Sequence, residues 1–102
     1  MLKTTPEASV KREESRKLAQ ESVSALQSNG FIKKIDVGLN KVYVDMRMWD
    51  SMNHDQKEIT SKMIALYCGY EKGTDLFWVE INDWQSGRKL AKYSKSWGFE
   101  IY

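Results

Sequence analysis

Residues 53–73, NHDQKEITSKMIALYCGYEKG, decide the fold. Asn53 is placed to cap a helix start with Gln56 three residues on as its capping-box partner, and Ile59, Met63, Leu66, Tyr67 and Tyr70 then recur at helical spacing. Gly69 or Gly73 ends the helix. A helix with one apolar stripe has to bury it, and the runs on either side, Val42 to Met48 and Leu76 to Ile81, are the two strongest strand candidates in the chain. The core therefore reads as strand, helix, strand.

Working upstream, Phe31, Ile35 and Val37 alternate with Ile32, Lys34 and Asp36, Gly38-Leu39-Asn40 makes a turn, and Val42, Val44, Met46 and Met48 resume the alternation against Tyr43, Asp45 and Arg47. This predicts a β-hairpin whose second strand ends at Trp49, with an irregular turn over Trp49 to Met52. Before it, Thr5 as N-cap, Pro6 at the first helical position and Glu7 in the first turn open a helix, and Asn29-Gly30 closes it with Phe31 folding back over Leu26. Leu18, Val23 and Leu26 give its second half an apolar face, whereas residues 7–17 offer only Ala8 and Val10 among charges, and the first two turns are expected to fray.

Downstream, Asp75 to Ile81 is the next strand, with Phe77, Val79 and Ile81 on one side and Leu76, Trp78 and Glu80 on the other. Asn82 to Gly87 reads as a loop, Arg88 to Ser94 as a strand, and Phe99 to Tyr102 as a last short one. The fold class is α+β in the order α-β-β-α-β-β(-β): two helices packed on one face of a four- or five-stranded mainly antiparallel sheet. Residues 1–102 form a single domain in this reading, with residues 1–6 as a flexible start. The strands' apolar face, from Val42, Val44 and Met46 to Phe77, Val79 and Ile81, is expected to meet Ile59, Met63, Leu66, Val23 and Leu26.

The totals support an ordinary folded domain, with 41% hydrophobic and 29% charged residues. Net charge is +2 but uneven: residues 1–30 carry five basic and four acidic groups, 31–85 seven and nine, and 86–102 four and one. Cys68 is the only cysteine, so no internal disulfide forms and a reducing compartment fits best. The N-terminal stretch has no apolar signal core and no run approaches a membrane span. The expected location is cytoplasmic, a domain excised from an exported precursor being the alternative; no membrane, metal or cofactor is expected.

With both helices on one side, the other sheet face is expected to show Ile32, Lys34, Tyr43, Asp45, Arg47, Leu76, Trp78 and Glu80. Aromatic, Leu and Arg side chains give large contact area at modest entropic cost, so this face suits a protein contact unless later strands curl over it. Tyr43, Arg47, Leu76 and Trp78 are the candidate partner-binding anchors, joined by Trp84, a large apolar side chain in a polar loop. The expected function is a small non-catalytic binding module that meets a protein partner or itself.

The alternative is single-stranded nucleic-acid binding through Arg88, Lys89, Lys92, Tyr93 and Lys95, where cations hold phosphates and aromatics stack on bases. Lysines that protect an edge strand give the same pattern, and a sequence pI near 8.6 is low for a nucleic-acid domain. An enzyme is the remaining alternative. His54 with Asp55 and Asp50 is the one base-like group, without a nucleophile at recognisable spacing, and Cys68 reads as a small buried hydrophobe. Ser86-Gly87-Arg88-Lys89 lacks the first glycine of a phosphate loop and precedes no helix, so it reads as a hairpin turn.

Overall fold

A computed structural model describes residues 6–102, with side chains from Arg12 onward. The elements are α1 (Pro6–Ser28), β1 (Ile32–Asp36), β2 (Lys41–Val44), α2 (Met46–Ser51), α3 (His54–Lys72), β3 (Trp78–Asp83), β4 (Lys89–Ser94) and β5 (Gly98–Ile101). The strands form one five-stranded sheet in sequence order. β2 and β3 pair in parallel, as the connection through α3 requires, and the other neighbours pair antiparallel. The α+β class, the helix-strand-strand-helix-strand order and the mainly antiparallel sheet stand. Pro6 already belongs to α1, while the Thr5 cap and the rest of the flexible start lie outside the described residues.

α3 begins and ends as its sequence directs. Asn53 Oδ1 accepts from the Gln56 N–H at 2.8 Å, and Gln56 Oε1 accepts from the Asn53 N–H at 2.9 Å, so two orphan donors of the first turn are satisfied. At the other end Gly73, not Gly69, is the left-handed residue, with φ of 68°. Its N–H reaches the Tyr70 carbonyl at 3.2 Å and that of Thr74 reaches Gly69 at 3.0 Å, the paired bonds of a Schellman end. Gly69 instead lies inside the helix, where a Cβ would meet the Phe77 ring at 2.3 Å; its bare Cα lets Phe77 close over the helix end. α1 stops at Gly30 as expected, but the Phe31 N–H is taken by Asn29 Oδ1 at 2.9 Å, in place of the helix carbonyl.

The core lies between the sheet and the helices. Residues opposite one another in a ladder share a face, which puts Val42, Ile81 and Ala91 in one row and Val79 with Tyr93 in the next. α3 lies over β3 and β4, and α1 packs on α3 and β1. Val23, Phe31, Val42, Val44, Ile64 and Ile81 are all fully enclosed. Each such side chain contributes roughly 1.5 to 3 kcal/mol of burial before ordering entropy is counted.

Four expectations need correction. First, the strand expected over Val42 to Met48 ends at Val44, because the Asp45 carboxylate accepts from the Met48 N–H at 3.0 Å and caps a third helix, α2. Met46, Trp49 and Met52 stand three apart, a spacing that also suits a helix and turns Trp49 into the core. Arg47 therefore projects from α2 and not from the sheet.

Second, α3 buries Ser61, Ile64, Ala65, Cys68 and Gly69, a line of mostly small residues that lets helix and sheet approach closely. Met63, Leu66, Tyr67 and Tyr70 flank that line half-buried, and Ile59, one of the expected contacts, is 62% exposed. Third, β3 starts at Trp78 and runs on through the buried Asn82 and Asp83, which the sequence places in a loop; Leu76 and Phe77 precede it. Polar side chains are tolerated there because they are bonded, the Asn82 amide donating to the Glu80 carbonyl at 3.4 Å. Fourth, a bulge between Ile32 and Lys34 turns Ile32 onto the core side, opposite Val44.

Candidate functional site

Among the described residues no helix or strand covers the sheet face away from the helices. β4 and β5 extend the sheet instead of folding over it. Ladder register sets Asp36, Lys41, Glu80, Lys92 and Glu100 in one row that crosses all five strands with alternating sign. Glu80 at its centre receives Lys41 at 4.0 Å and Lys89 at 3.6 Å. Beside this row stand two aromatics, Tyr43, with the Lys34 ammonium 5.7 Å from its ring centre, and Trp78, with the Lys92 ammonium at 5.7 Å. Both are half-buried.

The five candidate anchors thus fall in three places. Tyr43 and Trp78 share the sheet face. Arg47 and Trp84 meet at the carboxyl ends of the parallel strands β2 and β3, where they line a cleft of about 260 Å³ with Asp45, Met46, Asp83 and Gln85. Leu76 is exposed at the opposite end of β3. Trp84 is half exposed, and its backbone N–H is tied to the Val44 carbonyl at 3.0 Å, so the turn that carries it is fixed to β2.

Asp83 holds that turn. Its carboxylate accepts from the Ser86 hydroxyl at 2.7 Å and from the Gln85 N–H at 3.1 Å, and these bonds, with Arg88 nearby, hold its pKa below the usual carboxylate value. A carboxylate whose folded pKa is lowered stabilises the fold above its unfolded pKa of about 3.9 and loses that contribution as pH falls through the folded value. Asp83→Ala is therefore expected to lower the melting temperature at pH 7, with the gap to wild type narrowing as the pH falls through the carboxyl's lowered folded value; thermal unfolding over a descending pH series checks it.

The basic candidates divide between two faces. Lys92 projects on the uncovered side with Lys89 reaching Glu80 there, whereas Tyr93 faces the helices and the Lys95 ammonium sits 5.7 Å over the Phe77 ring. The Arg88 guanidinium lies against the Met46 sulfur at 3.8 Å. No single track of cations and aromatics results. His54 is exposed, with Asp55 at 3.9 Å and the Phe99 ring at 5.4 Å. Cys68 is buried, and burial pushes its thiol up to about 11, far from a nucleophilic thiolate.

Compared with protein-family models, curated proteins and solved structures, the chain matches none. Among the described residues no group of three or more His, Cys, Asp and Glu comes together as a metal site, and no helix is long and apolar enough to cross a membrane. The feature that sequence reasoning missed is the alternating charge row. Its members are ordinary polar positions on five separate strands, and only the register lines them up.

Proposed function

We propose that this domain is a non-catalytic protein-binding module that contacts its partner through the uncovered sheet face, with Trp78 and Tyr43 as anchors. The observation that carries this reading is that the later strands widen the sheet and leave both aromatics, half-buried and each beside a lysine ammonium, on the face away from the helices. The paired charges around the aromatics form a polar rim that favours a complementary partner over indiscriminate association. Arg47 and Trp84 extend the contact at the carboxyl ends of β2 and β3.

Trp78→Ala is expected to weaken association about tenfold or more, ~1.4 kcal/mol, while the circular-dichroism spectrum stays native. Sedimentation velocity reads self-association, and quantitative capture from an extract by wild type against Trp78→Ala reads a separate partner. Unchanged association in a folded variant sinks the proposal, and global unfolding would show that Trp78 is a packing residue. Single-stranded nucleic acid is the weaker reading, because the candidate cations split between two faces and Lys89 and Lys41 already engage Glu80.

A further inference from the structure

The two outer strands of the sheet are not alike. β1 carries Lys33, Lys34 and a bulge, devices that keep an edge from pairing with other chains. β5, Gly98–Ile101, has no lysine, no proline and no break in its register with β4. Around it the exposed apolar side chains are concentrated: Trp97 at 90%, Ile101 at 44% and Tyr102 at 59%. The Tyr102 N–H donates to the Leu90 carbonyl at 3.0 Å. By the alternation of an antiparallel ladder, Gly98, Glu100 and Tyr102 turn their backbone groups toward β4, and Phe99 and Ile101 turn theirs outward. Among the described residues no strand pairs with this edge, which therefore offers two N–H and two C=O groups in strand geometry.

We propose that β5 takes up an extended segment of a partner protein as a sixth strand, and that this segment alternates apolar residues with lysine or arginine. The charge row supplies the argument. Its sign alternates from Asp36 through Lys41, Glu80 and Lys92 to Glu100, so the next strand has to place a cation beside Glu100 to continue the pattern. The neighbouring positions face the helix side, where Phe99 and Ile101 are only partly covered and call for apolar partners. β4 already meets β5 in this way, with Ala91, Lys92 and Tyr93 opposite Ile101, Glu100 and Phe99. A second copy fits poorly. Two-fold antiparallel pairing of β5 with itself sets Glu100 opposite Glu100, Gly98 or Tyr102, never opposite a cation, and the bulge in β1 disrupts its use as the incoming strand. The edge adjoins the face anchored by Trp78, since Glu100 pairs with the Lys92 that stands over the Trp78 ring.

The test uses the whole chain and two short blocked peptides, one alternating valine with lysine and one alternating valine with glutamate. Binding is read by anisotropy of the labelled peptide and by backbone amide shifts. The lysine peptide is expected to bind at least tenfold tighter than the glutamate peptide, with shifts concentrated in Phe99 to Tyr102. Glu100→Lys should invert the preference, and Ile101→Pro should abolish binding by removing an outward donor. Equal affinity for the two peptides, or a preference that Glu100→Lys does not change, overturns the proposal. So does a concentration-dependent dimer that Ile101→Pro dissolves, since the occupant would then be a second copy.

Discussion

Replacing Asn40 with leucine is expected to cost the domain about 2 to 4 kcal/mol, a large share of the stability of a chain this size. Asn40 is 1% exposed and has a φ of 54°, the left-handed region that side chains other than Asn and Asp rarely enter. Its amide donates to the Trp78 carbonyl at 2.8 Å, its own carbonyl accepts from the Glu80 N–H at 2.8 Å, and its Oδ1 accepts from the Lys72 ammonium. One residue thus ties the β1–β2 turn to the start of β3 and to the end of α3. Leucine leaves the Trp78 carbonyl without its amide donor, about 1 to 3 kcal/mol, and adds about 1 kcal/mol of backbone strain. Lys72 is exposed and re-solvates, so it adds little. Asn40→Gly separates the two causes, since it keeps the bond loss but relieves the strain and should recover about 1 kcal/mol of the deficit. Denaturant unfolding at neutral pH measures both variants. A loss under 1 kcal/mol for Asn40→Leu would mean that the turn is held by other contacts.

Asn40 also shows where the sequence stops being legible. In Gly38-Leu39-Asn40 it reads as a turn residue, correctly, because the signal for a turn is local. That the same side chain is buried and bonded to Trp78 and Lys72 depends on how β2 aligns with β3, across 38 and 32 residues of chain. Much local chemistry is readable, although the Asp45 cap of α2, set by residues three apart, is not read from the alternation around it. The Asn53–Gln56 box, the glycine ends of both long helices and the alternation in β2 all appear where residues within a few positions of each other decide them. Register is not. It determines which of Lys34, Tyr43, Trp78 and Glu80 share a face with Lys92 and Glu100, and a bulge such as that at Ile32 leaves no mark in composition. The site suffered more than the fold for this reason. Parity alone puts Tyr43 and Trp78 on the face away from the helices, whereas Arg47 and Leu76 reach it only in strands extended past their real ends.

Trp49→Ala is expected to destabilise the domain by about 3 to 5 kcal/mol, whereas Trp97→Ala should stay within about 0.5 kcal/mol of wild type. The two residues are chemically identical and structurally opposite. Trp49 is 3% exposed in the same core as Val42 and Val44, with the Lys57 ammonium 5.4 Å from its ring centre. It reaches that position only because Asp45 stops β2 and starts α2; continued strand geometry to Trp49 would not produce the observed packing. The prediction therefore tests the helix as much as the side chain. If residues 46–51 were an extension of β2, Asp45→Ala would remove no cap and cost little. As an N-cap, its loss should cost about 1 kcal/mol and act through the same burial of Trp49. Equilibrium unfolding followed by far-ultraviolet circular dichroism reads all three variants, since Trp49→Ala itself removes the buried indole. A small effect of Trp49→Ala beside a normal transition would place Trp49 outside the core and return the chain after Val44 to a strand.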